Sequence, residues 1–355
     1  MKKLFTLLLL AASGYTAQAQ VVDVSSAERY FELVDTLKSG KRLHDATWQQ
    51  FLAMEGNQQY IENQNYKEAY LNNFRKTMEV VYMPEHDSLL QVRLQDRQAN
   101  YMTYSIHVYK AHEAELRQYL AQLAADKEDY LNTMYQTCYS MLPKRMHSKN
   151  PETGVYLIAL GNDAVAHKGN IVLNVWLEYK FNQVKPGAVG GHELHHTLNK
   201  PKRYDVAEKD KSLLLMLELL MNEGVPDLID KKYAVAPHMP DDMQWGTYLL
   251  DLGKQHLPKV DAAIKVIASG EKQYSSKEIR NQVIGMSGHV PGFYMSDVIE
   301  RNGLKKKLVS NMDNPFQIIY LYNKAARKDK SKPFVFSDEA VAYLKKVESG
   351  AKVLN

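Results

Sequence analysis

Gly190-Gly191-His192-Glu193-Leu194-His195-His196 is the stretch that decides how the rest of this chain is read. It contains H-E-x-x-H, with Glu193 between His192 and His196. On an α-helix, positions i and i+4 share a face, so both imidazoles can reach one metal ion. Glu193 then lies alongside that ion, where a general base for a bound water has to sit. With 12 histidines in 355 residues, a chance match to this spacing is uncommon. His195, inside the motif, projects off the metal face and is expected at the surface or behind the ligands.

Catalytic zinc takes three protein ligands and keeps a further position open. The continuation H-E-x-x-H-x-x-G-x-x-H is absent, because Asn199 stands at its glycine and Lys202 at its third histidine. A glutamate from a second helix is the other solution. Residues Leu213 to Gly224 are apolar on nearly every side and read as a buried helix, broken by Glu218 and Glu223. These two acids stand about 140° apart around a helix, so only one can face the metal. Glu223 is the candidate ligand, and Glu218 is expected to point elsewhere, toward a lysine or arginine. Asp227 follows Glu223 at i+4, placed to accept a hydrogen bond from the far nitrogen of a ligand histidine, expected to be His192. Pro226 should kink or restart the helix between them.

Leu220-Met221-Asn222-Glu223-Gly224 resembles the L-x-N-E-G segment of the gluzincin aminopeptidases, whose glutamate is the third zinc ligand. Asp227 resembles the supporting acid of the thermolysin group. Glu223 follows His196 at a longer spacing than those families use, so Thr197 to Asp210 reads as an insertion. From Val155 to Gly303 the chain also resembles secreted bacterial zinc-dependent peptidases. The resemblance implies one Zn2+ per chain, held by His192, His196 and Glu223, with Glu193 as general base for peptide hydrolysis. Gluzincins bring a histidine or tyrosine from a downstream element to steady the oxyanion. The loop and helix start Gly288-His289-Val290-Pro291-Gly292-Phe293-Tyr294-Met295 offers His289 first and Tyr294 second. The Gly-Ala-Met-Glu-Asn-type segment that binds a free amine in one aminopeptidase family is absent upstream of His192, which leans toward an endopeptidase or oligopeptidase.

The expected fold class is α+β and predominantly helical: a zincin-like catalytic region with a small twisted sheet and an active-site helix, flanked by helical N- and C-terminal parts. Residues Ser25 to about Met146 carry helical spacing, including a long run from Ala111 to Leu142, and Asp45 is a candidate cap for a helix starting at Ala46. The basic, turn-rich segment Lys144 to Gly154 is the best candidate boundary, dividing a helical region (20–150) from the catalytic region (151–355). Val155–Leu160 and Ile171–Leu177 read as strands separated by a polar turn, either a plain hairpin or an edge. In zincin peptidases an edge strand takes the substrate backbone as an added strand, and Asn162, Asp163 and Ala164 are the candidates for that contact. A last helix is expected over Asp338 to Glu348.

Residues 1–19 read as a secretory signal: Lys2 and Lys3, an apolar core from Leu4 to Ala12, and the A-x-A site Ala17-Gln18-Ala19. The core is too short to span a bilayer, so an exported protein without a membrane anchor, periplasmic or extracellular, is expected. Loss of the signal removes two lysines and lowers the formal charge from +4 to +2. That balance argues for neither nucleic acid nor a membrane surface as partner, and leaves a peptide or protein substrate. Oligomeric state is not legible. Cys138, the single cysteine, excludes an internal disulfide and a thiolate zinc knot. The alternative reading is a non-catalytic exported binding protein on a zincin scaffold with a structural metal. Glu193 argues against it, since a structural site needs no base and favours a fourth protein ligand.

Overall fold

Helical periodicity runs through most of the chain, and the computed structural model, which describes residues 20–354, is predominantly helical with a small mixed sheet. The secretory signal expected over residues 1–19 lies outside the described residues. Eight helices come first: α1 (Ser25–Lys38), α2 (Asp45–Leu52), α3 (Glu55–Gln64), α4 (Glu68–Tyr82), α5 (Asp87–Leu94), α6 (Tyr101–Ala111), α7 (Glu113–Ala125) and α8 (Lys127–Tyr139). The run expected from Ala111 to Leu142 is thus two helices. Asp126 divides them, its side chain accepting a hydrogen bond from the Asp129 backbone at 3.3 Å and capping α8. Asp45 is the first residue of α2 rather than its cap, and its carboxylate pairs with Arg75 at 2.6 Å instead.

The sheet takes one strand from the N-terminus and three from the middle of the chain. Its order is β1 (Val22–Asp23), β2 (Val155–Ile158), β4 (Asn170–Asn174) and β3 (Val165–His167). β1, β2 and β4 run parallel, with Val155 beside Ile171 and Ile158 beside Asn174, while β3 is antiparallel on the outer edge. The two strands expected from the sequence are therefore not a hairpin with each other. The hairpin is β3–β4, turned by Lys168 and Gly169 with φ of 48° and 82°, the paired left-handed conformation that a two-residue turn requires. The second expected strand stops at Asn174. Its side chain accepts hydrogen bonds from the backbone of Trp176 and Leu177 at 3.1 and 3.2 Å and starts α9 (Val175–Val184). A local cap here overrides the strand propensity of Val175-Trp176-Leu177.

The helix carrying H-E-x-x-H is α10 (Ala188–Leu198), buried along nearly its whole length. It sits close against α8 because Gly190 and Gly191 face that helix. A Cβ on Gly190 would fall 2.8 Å from the Met134 sulfur, and one on Gly191 3.2 Å from the Met134 carbonyl. Then follow β5 (Arg203–Asp205), α11 (Lys211–Gly224), α12 (Trp245–Ser269), the single turn α13 (Ser276–Glu278), α14 (His289–Arg301), α15 (Lys305–Ser310), α16 (Gln317–Ala326) and α17 (Asp338–Gly350). A C-terminal strand, β6 (Lys352–Leu354), pairs antiparallel with β5.

Buried apolar side chains form two clusters. The first runs from Val22 to Leu198 and recruits Ala234, Met239 and Met243; the second runs from Leu213 to Val347 and recruits Met141. The change of core falls at residues 199–212, and Lys144–Gly154 joins α8 to β2 inside the first cluster. Within the second, α11 and α14 meet at backbone contact: a Cβ on Gly224 would lie 2.1 Å from the Gly292 carbonyl carbon. That approach brings the start of α14 beside the end of α11. Among the described residues no helix is long and apolar enough to cross a membrane.

Candidate metal centre

α10 presents His192 and His196 on one face, ring centres 5.0 Å apart, and the last turn of α11 delivers Glu223 to the same point. One nitrogen from each histidine and a Glu223 carboxylate oxygen all lie within 4.8 Å of one another. His196 Nε2 is 3.5 Å from Glu223 Oε2. A tetrahedral ion with bonds of about 2.0–2.1 Å separates its ligand atoms by roughly 3.3 Å, so two imidazoles and a carboxylate at this spacing fit zinc in both donor type and geometry. Burial pushes the His196 imidazole down to about 4. Burial alone would raise the Glu223 carboxyl, but the surrounding histidines hold it below its ordinary value. A neutral imidazole and an ionised carboxylate are the forms that coordinate a metal. The Asn222 amide nitrogen lies 3.2 Å from His196 Nδ1 and 3.3 Å from Glu223 Oε1, bridging the two elements.

The supporting acids differ from expectation. His192 donates from Nδ1 to Asp230 Oδ1 at 3.0 Å, not to Asp227, whose nearest oxygen stands 3.8 Å away, beyond hydrogen-bond range. Asp227 instead accepts from His289 Nδ1, at 3.1 and 3.0 Å to its two oxygens. The reason is the break at Pro226. α11 ends at Gly224 and the chain continues as a 3-10 turn over Pro226–Leu228, which rotates Asp227 away from the α-helical i+4 direction. Helical spacing from Glu223 does not single out Asp230, because α11 has ended six residues before it. Burial opposes the charge on His192, yet Asp230 holds the imidazole up at about 9. Lys231 Nζ meets Asp230 Oδ2 at 2.5 Å and completes a buried Lys–Asp–His array. His192, Asp227 and Asp230 also converge, but with Lys231 already among them they do not read as a second cation site.

His289 enters from α14. Its Nε2 lies 3.4 Å from Glu223 Oε2, but it does not belong to the convergent trio. Tyr294, the second oxyanion candidate, is corrected: it is buried in the second core near Tyr322 and over Gly253, away from the cleft. Five residues along α14 from His289, it faces about 140° away. His195, expected at the surface or behind the ligands, is fully buried beside His196. Glu218 does point away from the centre but forms no ion pair among the described residues, and burial raises its carboxyl.

A cleft of about 1300 Å3 opens over these groups. Its walls include Glu193, whose carboxyl burial raises to about 7, together with Lys231, Trp245 and Met286, none of the last three marked out by the sequence. Asn162, Asp163 and Ala164 line the opposite approach and lead into Val165 and Ala166 of edge strand β3. The cleft is thus framed by the sheet edge and α10 from the first core and by α11, α12 and α14 from the second.

Residues 48–331 match the family described as "Putative zinc dependent peptidase (DUF5700)", and the chain belongs to that family. The match includes every residue of the centre and of the cleft. No curated protein and no solved structure matches the chain.

Proposed function

We propose that this protein is an exported metallopeptidase of the gluzincin type, cleaving a peptide or protein substrate with one zinc ion per chain. The observation that carries the reading is Glu193, a buried carboxylate on the cleft wall beside the three convergent donors and not one of them. A binding module with a structural metal has no use for such a group. Export rests on the basic, apolar and A-x-A pattern of residues 1–19.

Held by His192, His196 and Glu223, zinc would supply a Lewis acid that polarises the scissile carbonyl and eases proton loss from water. The chain's own residues perform the remaining work. Asp230 fixes the orientation of His192 through Nδ1, leaving Nε2 directed to the centre. β3 has one unpaired edge, and a substrate segment adds to it as a further strand, entered past Asn162, Asp163 and Ala164. Glu193 takes the proton of the attacking water on its carboxylate and hands it to the leaving nitrogen; a carboxyl near neutrality suits both transfers. Burial opposes charge on His289, but Asp227, bonded to its Nδ1, and Glu223 together raise this imidazole above its ordinary value, and in its protonated form Nε2–H donates to the oxygen on which charge develops.

Glu193→Gln tests this directly. Zinc content should be retained, since Glu193 is outside the trio, while cleavage of a mixed peptide pool falls by about 10²–10⁴-fold. Cleavage by the wild type should vanish with a chelator. Unchanged turnover in the variant would remove Glu193 from the mechanism.

A further inference from the structure

Beyond Asn222 the molecule has a second cavity, of about 870 Å3, that the centre itself does not use. Asn222 lines both spaces, and its amide touches His196 and Glu223 on the cleft side. A chain lying across the centre away from β3 therefore passes Asn222 into this pocket. Leu215, Leu219, Met312 and Pro315 give it apolar walls, and Lys202, Arg203 and Arg280 give it positive charge. Lys202 is partnered by Asp313 at 3.4 Å. Among the described residues the two arginines are not: eight of the eleven arginines form ion pairs there, Arg93, Arg203 and Arg280 do not, and two of those three line this one pocket. Arg280 has, among the described residues, a single side-chain partner, the Ser276 hydroxyl at 3.4 Å from Nε, which leaves its terminal nitrogens for a ligand. Glu218 is the one acid in the lining, half-buried.

From this geometry we infer that the pocket behind Asn222 is a substrate subsite for a carboxylate, with Arg280 and Arg203 as its specificity-determining residues. The carboxylate comes either from an Asp or Glu side chain or from the substrate's C-terminus. A planar guanidinium matches either group in a bidentate pair. The inference rests on the peptidase reading and adds its substrate class: peptides carrying an acid on the side of the scissile bond that points away from β3. Glu218 opposes the same charge and tempers the preference.

The test uses the zinc-loaded protein and matched peptides that place Glu, Gln or Lys at each position flanking the cleaved bond, each with a free or an amidated C-terminus. On one side of the bond only, kcat/KM should favour Glu over Gln by about two- to fivefold, the size of a partly exposed ion pair. A preference that survives amidation assigns the site to a side chain; one lost on amidation assigns it to the C-terminus. Arg280→Glu should abolish the preference and favour Lys. Arg203→Glu, at an exposed position, should weaken it, and Glu218→Gln should strengthen it. Equal rates on Glu, Gln and Lys peptides, or a preference indifferent to both reversals, would overturn the subsite. If no peptide is cleaved, the peptidase reading falls by itself. Binding of the same labelled peptides to zinc-loaded Glu193→Gln then still decides the pocket: Glu over Gln, lost in Arg280→Glu, supports it, and no difference refutes it.

Discussion

His192 on α10 and His289 on α14 each give Nδ1 to a buried aspartate at 3.0 Å, Asp230 in one case and Asp227 in the other. Only His192 joins the convergent trio, and its side chain is 3% exposed against 26% for His289. Local chemistry is therefore shared, and position in the fold separates the roles. α10 lies flat on α8 and fixes His192 at the floor of the cleft. α14 is pressed onto α11 through Gly224 and Gly292, which leaves His289 at the rim with Nε2 open to whatever enters. On the proposed reading, a histidine with a carboxylate behind it is thus a ligand in one place and a donor to substrate in the other, according to which core holds its helix.

The largest effect should come from deleting the two imidazoles in turn. His192→Ala is expected to lose zinc and, with it, at least about a thousandfold in activity. His289→Ala should keep zinc and lose about 10²–10³ in kcat, the cost of one oxyanion donor. Metal content by elemental analysis, taken beside kcat, separates the two. Loss of zinc in both variants would make His289 a ligand and end the distinction.

The aspartates sharpen the comparison at smaller scale. Asp230→Asn should weaken zinc binding by about 10–100-fold, because it removes the acceptor behind a ligand. Asp227→Asn should leave zinc affinity in place and lower kcat. Competition with a chromophoric chelator reads the first effect, and equal affinity losses in the two variants would show that their histidines serve one purpose.

Glu178 is a buried acid near this array with no histidine behind it. Tyr130 donates to it at 3.1 Å, and burial lifts its carboxyl from 4.5 to about 7. Its folded pKa exceeds its unfolded one, so the folded state holds the proton longer. The associated stability is full below about pH 4.5 and is lost as pH rises through about 7. On 1.36 kcal/mol per pKa unit the loss is on the order of 3 kcal/mol. Glu178→Gln should therefore be more stable than the wild type at pH 8 in chelator and equal to it near pH 4.5, by denaturant melts. A wild type whose stability relative to the variant does not fall over that window would show that this carboxyl titrates normally.

By itself the sequence determined the elements whose signals are local. H-E-x-x-H sets two imidazoles on one helical face whatever surrounds them, and the apolar run of α11 isolates Glu223 and turns Glu218 aside through helical phase alone. Ser337 caps the last helix, which begins at Asp338 as expected. The readings that failed involved competition between local signals or contacts across the chain. Asn174 capped a helix inside a strand-like run, and Pro226 rotated Asp227 off its i+4 line toward His289, leaving His192 to Asp230. Tyr294 was assigned from proximity in sequence, but the facing side of a helix is chosen by what packs on it, and it went into core. β3 has only three residues, too few for an alternating pattern to register, and its place at the sheet edge is set by pairing with β4 alone. The pocket behind Asn222 draws on residues from 199 to 315, and no spacing in a linear chain signals a juxtaposition of that range.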